Sequence, residues 1–396
     1  MNIEDLVTFE VNGKKCVALV RKLTERECFR LMGVDEAHID TIASCGVSRS
    51  AQYKMAGNSI VVDVLYHIFR TAFIPSERGA GHDLFGCPGL IQGEFTKDKP
   101  LRVATLCSGY DSQFMALERL HRDYPDFCYE RVWYAEHDPE SNKPDAEQPQ
   151  VIAHEALWPN CPNLGDMTKI DWAAAKEKYG EIDLLFYSTP CQSISQAGLQ
   201  HGFTEGSGTR SSIIWNVRDA LKILQPRFAC LENVAAMVSK KFKPMFDLWR
   251  ETVDGLGYAS FAQKLNAKHY GVPQNRDRIF LFSVHKEKNG GEANYNFPEP
   301  MELKKKLQDV LEDSVDTKYY LNPVKVQDFV KKNLVKIREY AEKGVADGMK
   351  IEKLPDELRK WVEGYGDKDA ADKALKQAEH RKKVIERKMK ALEAIC

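Results

Sequence analysis

The sequence predicts an α/β fold with a parallel, doubly wound sheet. Between residues 101 and 284, apolar runs typical of strands alternate with runs whose apolar residues recur at helical spacing. Parallel strands covered by helices are buried on both faces, so they read as nearly continuous apolar stretches. Polar residues directly follow several of these runs. Because ligands of such folds bind at the carboxyl ends of the strands, these polar residues are the first candidates for a site.

The predicted elements of this core follow a regular order. Apolar, strand-like runs occupy residues 101–107, 131–136, 182–188, 228–234 and 279–284. Helical spacing of apolar residues is clearest in two of the stretches between them, 115–120 and 215–224. Strand and helix signals in this alternation indicate βαβ units.

The segment before the core has shorter elements. Residues 7–20 contain two strand-like runs. A helix is predicted over 24–32, where Thr24 followed by Glu27 has the spacing of a capping box. A second helix is predicted over 60–73 from the spacing of its apolar residues.

Composition divides the rest of the chain. Residues 75–100 are rich in Gly and Pro without a sustained period, which predicts a linker. Beyond residue 284 the sequence becomes lysine-rich and helical, with 19 Lys and Arg against 14 Asp and Glu over residues 323–396. A solvated helical surface and a target-recognition region are both compatible with this charge. The predicted segments are 1–74, 75–100, 101–284 and 285–396.

Composition excludes several classes of protein. With 43% apolar residues in 396, the chain can bury a large core, which excludes disordered and fibrous proteins. The net charge of −1 means that any nucleic acid must be bound by a local patch. Ten cysteines occur without a C-x-x-C pair, so no metal site is predicted. Because a secretory signal and a long apolar run are both missing from the sequence, we expect a reducing, cytoplasmic setting.

Three features in chain order predict a nucleoside-bearing cofactor. The first is a small-residue turn between a strand and a helix, at Ser108, Gly109, Tyr110 and Asp111. Backbone N–H groups at such a turn can face a carboxylate or phosphate. The next strand ends in Glu136, which is placed to accept hydrogen bonds from ribose hydroxyls. Asp166 then offers an acid for an adenine amino group, and Met167 an apolar side chain to pack on the base.

Two later strand ends carry the candidate chemistry. Cys191 follows Pro190 directly after the run 182–188, in a loop of polar residues where a thiol can become a reactive thiolate. The residues that follow, 193–208, are long enough to form a lid. Glu232 closes the run 228–234, and in a partly desolvated pocket it can hold a proton near neutral pH.

A third polar group precedes the last predicted strand. Gln274, Arg276 and Arg278 alternate into the run 279–284, which places them on one face. Arginines beside a thiol and a carboxylate suit anion contacts and orientation of a base. Solubility charges on an edge strand are the alternative interpretation.

These motifs together resemble those of the DNA cytosine-5 methyltransferases. The likeness rests on Pro190-Cys191-Gln192, Glu232-Asn233-Val234 and Gln274-x-Arg276-x-Arg278, in that order. It extends to the cofactor turn, Glu136 and Asp166, and to an arginine-containing motif at Arg210 and Ser212. The resemblance implies a Rossmann-like sheet that binds S-adenosyl-L-methionine, in which Pro190 lines the cofactor site.

The order of the motifs differs from the family's common arrangement. The sequence at 21–33 and the Gly57-Asn58-Ser59 segment resemble motifs that usually come last, yet here they come first. This indicates a circular permutation in which 1–74 completes the catalytic domain and Asn58 and Ser59 join the cofactor pocket. His137 stands where the family often has an aromatic residue stacking on adenine.

The resemblance implies a reaction and its partners. Cys191 would add to carbon 6 of a cytosine flipped out of double-stranded DNA, Glu232 would contact the ring nitrogen and amine, and Arg276 and Arg278 would orient the base. A cognate restriction enzyme and a separate recognition subunit stay open as further partners, in a bacterial or phage-encoded system acting at the nucleoid. An RNA cytosine-5 methyltransferase and a catalytically degenerate DNA-binding or regulatory protein are the alternatives.

Overall fold

A computed structural model describes residues 8–11, 14–17, 20–74, 95–190, 194, 202–291, 293–321, 330 and 335. The chain divides into two compact units, one of residues 1–24 with 311–396 and the other of residues 25–310. Among the described residues, no helix combines the length and the apolar character that crossing a bilayer requires.

The larger unit begins with four helices. They are α1 (Glu25–Arg30), α2 (Glu36–Ser44), α3 (Arg49–Asn58) and α4 (Val62–Phe73). The predicted helices 24–32 and 60–73 are therefore present but shorter. The helix α4 is strongly amphipathic, and one face is buried against the sheet and α5 (Ser112–Asp123).

Six strands within the described residues form one mixed sheet. In chain order they are β3 (Leu101–Leu106), β4 (Tyr129–Ala135), β5 (Leu184–Tyr187), β6 (Phe228–Val234), β7 (Tyr258–Asn266) and β8 (Asp277–His285). Their order across the sheet is β4-β3-β5-β6-β8-β7. The remaining helices are α6 (Pro149–Leu157), α7 (Trp172–Tyr179), α8 (Ile214–Leu224) and α9 (Lys243–Gly255).

The prediction of a parallel sheet is wrong for β8, and β7 was not predicted. The strands β3 to β6 pair in parallel, whereas β8 pairs antiparallel with both β6 and β7. Only ten residues separate β7 from β8, and they contain one short 3-10 helix at Ala267–His269. A parallel connection needs a crossover of a dozen or more residues, so β8 must reverse direction.

Alternate residues of the strands support two separate cores. Phe228 and Cys230 of β6 face one cluster, and Ala229 and Leu231 face the other. The first cluster includes residues of α1 to α6, and the second includes residues of α7 to α9. Helices therefore cover both faces of the sheet. The ends of the strands are left at the open edge of this layered structure.

The smaller unit contains a hairpin and a short pairing. The strands β1 (Thr8–Val11) and β2 (Lys14–Val17) are antiparallel. Residues 20–22 pair with 319–321 through backbone hydrogen bonds of 2.8 and 2.9 Å. Most of the predicted linker, residues 75–94, and most of the predicted helical C-terminal region lie outside the described residues.

Candidate active site

The turn after β3 has an unusual backbone. Cys107, Gly109 and Asp111 all have positive φ, at 53°, 57° and 60°. Glycine reaches this left-handed region without steric cost, and the space where a Cβ would stand at Gly109 is open to 4 Å. The Gly109 N–H donates a 2.8 Å hydrogen bond to Glu136 Oε2. The turn therefore leaves an uncovered backbone beside a carboxylate.

Glu136 reaches the turn because β3 and β4 are parallel neighbours whose carboxyl ends meet. Its backbone N–H donates to Asn163 Oδ1 at 3.0 Å, which fixes the strand end. Burial raises the pKa of the Glu136 carboxyl to about 7, and the hydrogen bond from Gly109 acts in the opposite direction. Next along the chain, His137 Nδ1 lies 2.7 Å from Asp145 Oδ1.

Glu232 and Arg278 form an ion pair at the end of β6. Glu232 Oε1 lies 2.9 Å from Arg278 Nε, and the two side chains are 8% and 22% exposed. The antiparallel register pairs Val234 with Arg278, so the start of β8 lies beside the end of β6. Burial raises the pKa of the Glu232 carboxyl, while the charges of Arg278 and Arg276 act to lower it. A carboxyl in this setting can take up or share a proton.

Arg276 makes different contacts from Arg278. Its Nη2 donates to the carbonyls of Gly57 at 2.9 Å and Ser59 at 2.8 Å. These carbonyls lie at the C-terminal end of α3, where a cation complements the helix dipole. Gln274 Nε2 likewise donates to the Leu31 carbonyl at 2.9 Å. Both residues therefore hold the 25–74 helices against the strand end.

One cavity of about 260 Å³ joins the turn and the ion pair. Its wall in the larger unit includes the end of α3, the turn after β3 with the start of α5, the end of β4, Gln150 of α6, and the ends of β5 and β6 with Arg278. The predicted residues in its wall are Asn58, Ser59, Ser108, Gly109, Tyr110, Glu136, His137, Pro190, Glu232 and Arg278. The volume is close to the lower end of small-molecule sites, roughly 300 Å³.

A family model described as C-5 cytosine-specific DNA methylase matches residues 5–73 and 101–395. The chain belongs to this family. The match includes the whole described sheet and the helices on both of its faces.

Individual relatives share parts of the chain. The type II methyltransferase M2.ScrFI of Lactococcus lactis subsp. cremoris is 37% identical over 42% of this chain and 44% of that protein. M.SsoII of Shigella sonnei is 32% identical over 48% of each chain. These alignments span less than half of each relative's length. Among solved structures, the S. pombe Dnmt2 methyltransferase covers 59% of this chain and 66% of its own, at 17% identity and a TM-score of 0.40.

Several predicted family residues lie outside the cavity wall. Arg276 binds the end of α3, and Asp111 is fully buried beneath the turn. Asp166 Oδ1 accepts hydrogen bonds from Thr168, and Asp166 Oδ2 lies 3.0 Å from Lys169 Nζ. Met167 is buried in the core on the α7 to α9 face of the sheet. Cys191 lies outside the described residues, as does half of the stretch 193–208.

Several wall residues were not predicted as site residues. They are Lys54 and Met55 of α3, Gln113 of α5, Asp138, and Gln150 of α6. Lys54 Nζ lies 3.5 Å from Asp138 Oδ2, which links α3 to the segment after β4. Gln150 lies far from any predicted motif, so only the packing of α6 reveals it. Within the described residues, no cluster of His, Cys, Asp and Glu is arranged to hold a metal ion.

Proposed function

We propose that this protein is a DNA cytosine-5 methyltransferase that methylates a flipped cytosine through a covalent adduct of Cys191. The observation that carries the proposal is the Glu232–Arg278 pair, 2.9 Å apart, in the same cavity as Pro190 and the Gly109–Glu136 contact. Cys191 follows Pro190 in the sequence. A base-binding carboxyl and a cofactor turn therefore share one cavity with the residue that precedes the nucleophile.

The cavity fits S-adenosyl-L-methionine. The open side of Gly109 offers uncovered backbone, and Glu136 offers carboxylate oxygens for ribose hydroxyls. Asn58 and Ser59 add polar groups from the end of α3, as the family resemblance implies. When bound, the cofactor supplies an electrophilic methyl group. Asp166 and Met167 would join this site only through a local rearrangement, because neither lines the cavity.

The chain's own residues account for activation of the base. Carbon 5 of cytosine is a weak nucleophile, and addition of the Cys191 thiolate to carbon 6 raises its electron density. Glu232, with its raised pKa, donates a proton toward the ring nitrogen and accepts a hydrogen bond from the exocyclic amine. After methylation, a base removes the carbon-5 proton. The Cys191 sulfur then leaves carbon 6, which restores the ring and the thiolate.

The contacts of the two arginines support different roles for them, whereas the resemblance assigned both to orienting the base. Arg278 pairs with Glu232 in the cavity wall and would orient the carboxyl against the base. Arg276 positions the loop that carries Asn58 and Ser59, through the carbonyls of Gly57 and Ser59. We therefore place Arg278 in the base pocket and Arg276 behind the cofactor pocket.

The substrate we propose is double-stranded DNA in the cytoplasm. A stacked base cannot reach a cavity at the ends of these strands, so the target cytosine must leave the helix. The basic segment 323–396 would contact the phosphates, with a separate recognition subunit or a cognate restriction enzyme as further partners.

We also propose that the chain is a circular permutant of the common family order. In the larger unit, α4 packs on α5, and Arg276 binds the end of α3. The helices 25–74 thus adjoin the first strand and the cofactor turn, where the closing motifs of the family's common order would need to lie.

Transfer of labelled methyl groups tests this function. The full chain is incubated with labelled S-adenosyl-L-methionine and either duplex DNA or transfer RNA, and Cys191→Ser is the matched variant. We expect label in DNA at carbon 5 of cytosine and none with the variant. Duplex DNA containing 5-fluorocytosine should trap a complex that survives denaturation, because fluorine cannot leave as a proton. Label in transfer RNA alone would support the RNA enzyme, and no label in either would support a non-catalytic protein.

A further inference from the structure

A buried group of side chains supports the turn after β3 from beneath. Asp111 has a φ of 60° and is fully buried, just before the first residue of α5. This left-handed backbone conformation is sterically strained for a residue with a Cβ, whereas glycine adopts it without strain. Asp111 does not line the cavity, so the proposed reaction gives its carboxylate no task.

Two donors hold the Asp111 carboxylate. His154 Nε2 donates to Asp111 Oδ2 at 2.8 Å, and Thr105 Oγ1 donates to the same oxygen at 2.9 Å. The Thr105 hydroxyl also lies 2.8 Å from the hydroxyl of Ser108, which lines the cavity. A continuous set of hydrogen bonds therefore runs from His154 through Asp111 to the cofactor turn.

The imidazole itself is fixed in place. His154 is fully buried, and the ring of Tyr134 stacks on it with centroids 3.5 Å apart and an interplanar angle of 16°. Trp158, four residues further along, donates from Nε1 to the carbonyl of Tyr110 at 3.0 Å. Residues four apart lie on one face of a helix, so α6 and the residue after it contact the turn twice.

We propose that His154 is a positioning residue that holds the cofactor turn in its left-handed conformation through Asp111. The inference rests on the proposed function for its ligand, S-adenosyl-L-methionine. The turn depends on His154 only because residue 111 carries a side chain. With a glycine in place of Asp111, the same backbone would need no partner.

A double-mutant cycle tests this coupling with the full-length protein. Binding of S-adenosyl-homocysteine is measured by calorimetry for the parent, His154→Leu, Asp111→Gly and the double variant. We expect His154→Leu to weaken binding by about tenfold or more when residue 111 is Asp, because a buried carboxylate left with only the Thr105 donor will shift the turn. In the Asp111→Gly background the same change should cost less than about threefold.

Two further readouts separate positioning from general damage. In turnover, His154→Leu should raise the KM for the methyl donor while kcat at saturation stays within about twofold. Hydrogen exchange at the amides of residues 108–112 should accelerate in His154→Leu and return toward the parent's rate in the double variant. His154→Gln, which keeps an N–H donor, should recover part of the binding and replaces His154→Leu if that variant does not fold.

His285→Leu is the control for loss of a buried histidine. His285 is 5% exposed, closes β8 and packs on Tyr258 with centroids 4.9 Å apart, outside the cavity wall. The His285→Leu change should lower the stability of the protein without changing its affinity for the ligand. An equal cost of His154→Leu in the parent and in the Asp111→Gly background, or unchanged exchange at 108–112, overturns the inference. If the parent does not bind the ligand, the proposed function fails, and the exchange measurement still decides the role of His154.

Discussion

At the residue scale, the reactivity of the two cavity carboxyls depends on where their strands end. Glu136 directly follows β4 and Glu232 lies near the end of β6, and burial raises the pKa of both. Each has one strong partner, Arg278 Nε for Glu232 and the Gly109 N–H for Glu136. In the function we propose, these similar environments would serve two different tasks, proton transfer to the base by Glu232 and recognition of hydroxyls by Glu136.

Replacing Glu232 with Gln should remove the proton that the base receives. We expect kcat for methyl transfer to fall by about 10²–10⁴-fold, the usual contribution of a positioned acid or base. Glu251→Gln, on the exposed face of α9, is the matched control and should leave the rate at the parent's value. A Glu232→Gln variant as fast as the parent would contradict the role.

Ligand binding should depend on pH through Glu136. Because the carboxyl has a pKa of about 7, it is largely protonated at pH 6 and accepts hydrogen bonds poorly. We expect affinity for S-adenosyl-homocysteine to rise by up to about tenfold per unit between pH 6 and 7 and to level off above this. Titration calorimetry of the parent against Glu136→Gln isolates the effect, since the variant should lose this part of the pH dependence. A profile identical in both proteins would exclude Glu136 as its source.

The same carboxyl affects stability in the opposite direction. Its folded-state pKa is above the ordinary value of 4.5, so the folded state binds its proton more tightly than the unfolded chain does. The contribution of Glu136 to the free energy of unfolding therefore falls as pH rises from about 4.5 through about 7. If ligand binding favours the charged form of Glu136, the ligand-free protein is less stable at neutral pH than it would be with an ordinary carboxyl pKa.

At the scale of elements, one nearly buried arginine of α5 contacts two of the helices before the core. Arg119 Nη2 donates to the Gly33 carbonyl at 2.7 Å and to Asp35 Oδ1 at 2.8 Å, and its Nη1 lies 3.3 Å from Asp63 Oδ1. The Arg119 side chain is 13% exposed. Burial raises the pKa of Asp63, and Arg119 opposes this shift most strongly. Arg119 thus links α5 to the start of α2 and of α4.

Replacing Arg119 with Met should destabilise the protein more than the same change one turn away. We expect a loss of about 2–4 kcal/mol in the free energy of unfolding, because Asp35 and the largely buried Asp63 both lose the contact with this guanidinium. Arg122→Met removes an arginine that is 60% exposed and pairs with Asp35 at 3.2 Å, and it should cost at most about 1 kcal/mol. Urea denaturation of both variants measures the difference. Equal losses would show that burial of Arg119 with Asp35 and Asp63, the Arg119 cluster, adds no stability.

At the scale of the whole molecule, the predicted linker joins two parts that already pack together. Phe73 at the end of α4 packs on Phe95 with centroids 5.8 Å apart, and on Phe228 at 5.4 Å. Both contacts bridge the sequence gap between residues 74 and 95. The helices of the first part therefore share one core with the sheet of the second.

Cutting the chain between residues 75 and 94 should leave a working assembly. A protease site introduced there and cleaved after folding should give two fragments that elute together in size-exclusion chromatography and keep the parent's methyl-transfer rate. The reason is that the buried face of α4 and the Arg119 cluster hold the fragments without the covalent connection. Separation of the fragments without denaturant would show that the connection itself is required.

The sequence by itself determined the α/β class, the four parallel strands and the polar residues at their ends, because each depends on a local apolar run followed by a break. It also predicted that Gly109, Glu136, Pro190 and Glu232 belong to one site, and these four line one cavity. The direction of β8 could not be predicted from its run of apolar residues. An apolar strand looks the same in either direction, and β7 is a half-exposed edge strand without an apolar run.

Only the tertiary structure decided which side chains act on which. Because β8 packs beside β6, Arg278 forms an ion pair with Glu232. Because α3 packs beside the start of β8, Arg276 donates hydrogen bonds to the carbonyls of Gly57 and Ser59. The contact between His154 and Asp111 joins residues 43 apart in the chain. Such contacts are set by how helices and strands pack in three dimensions, and the spacing of residues along one chain carries no record of that packing.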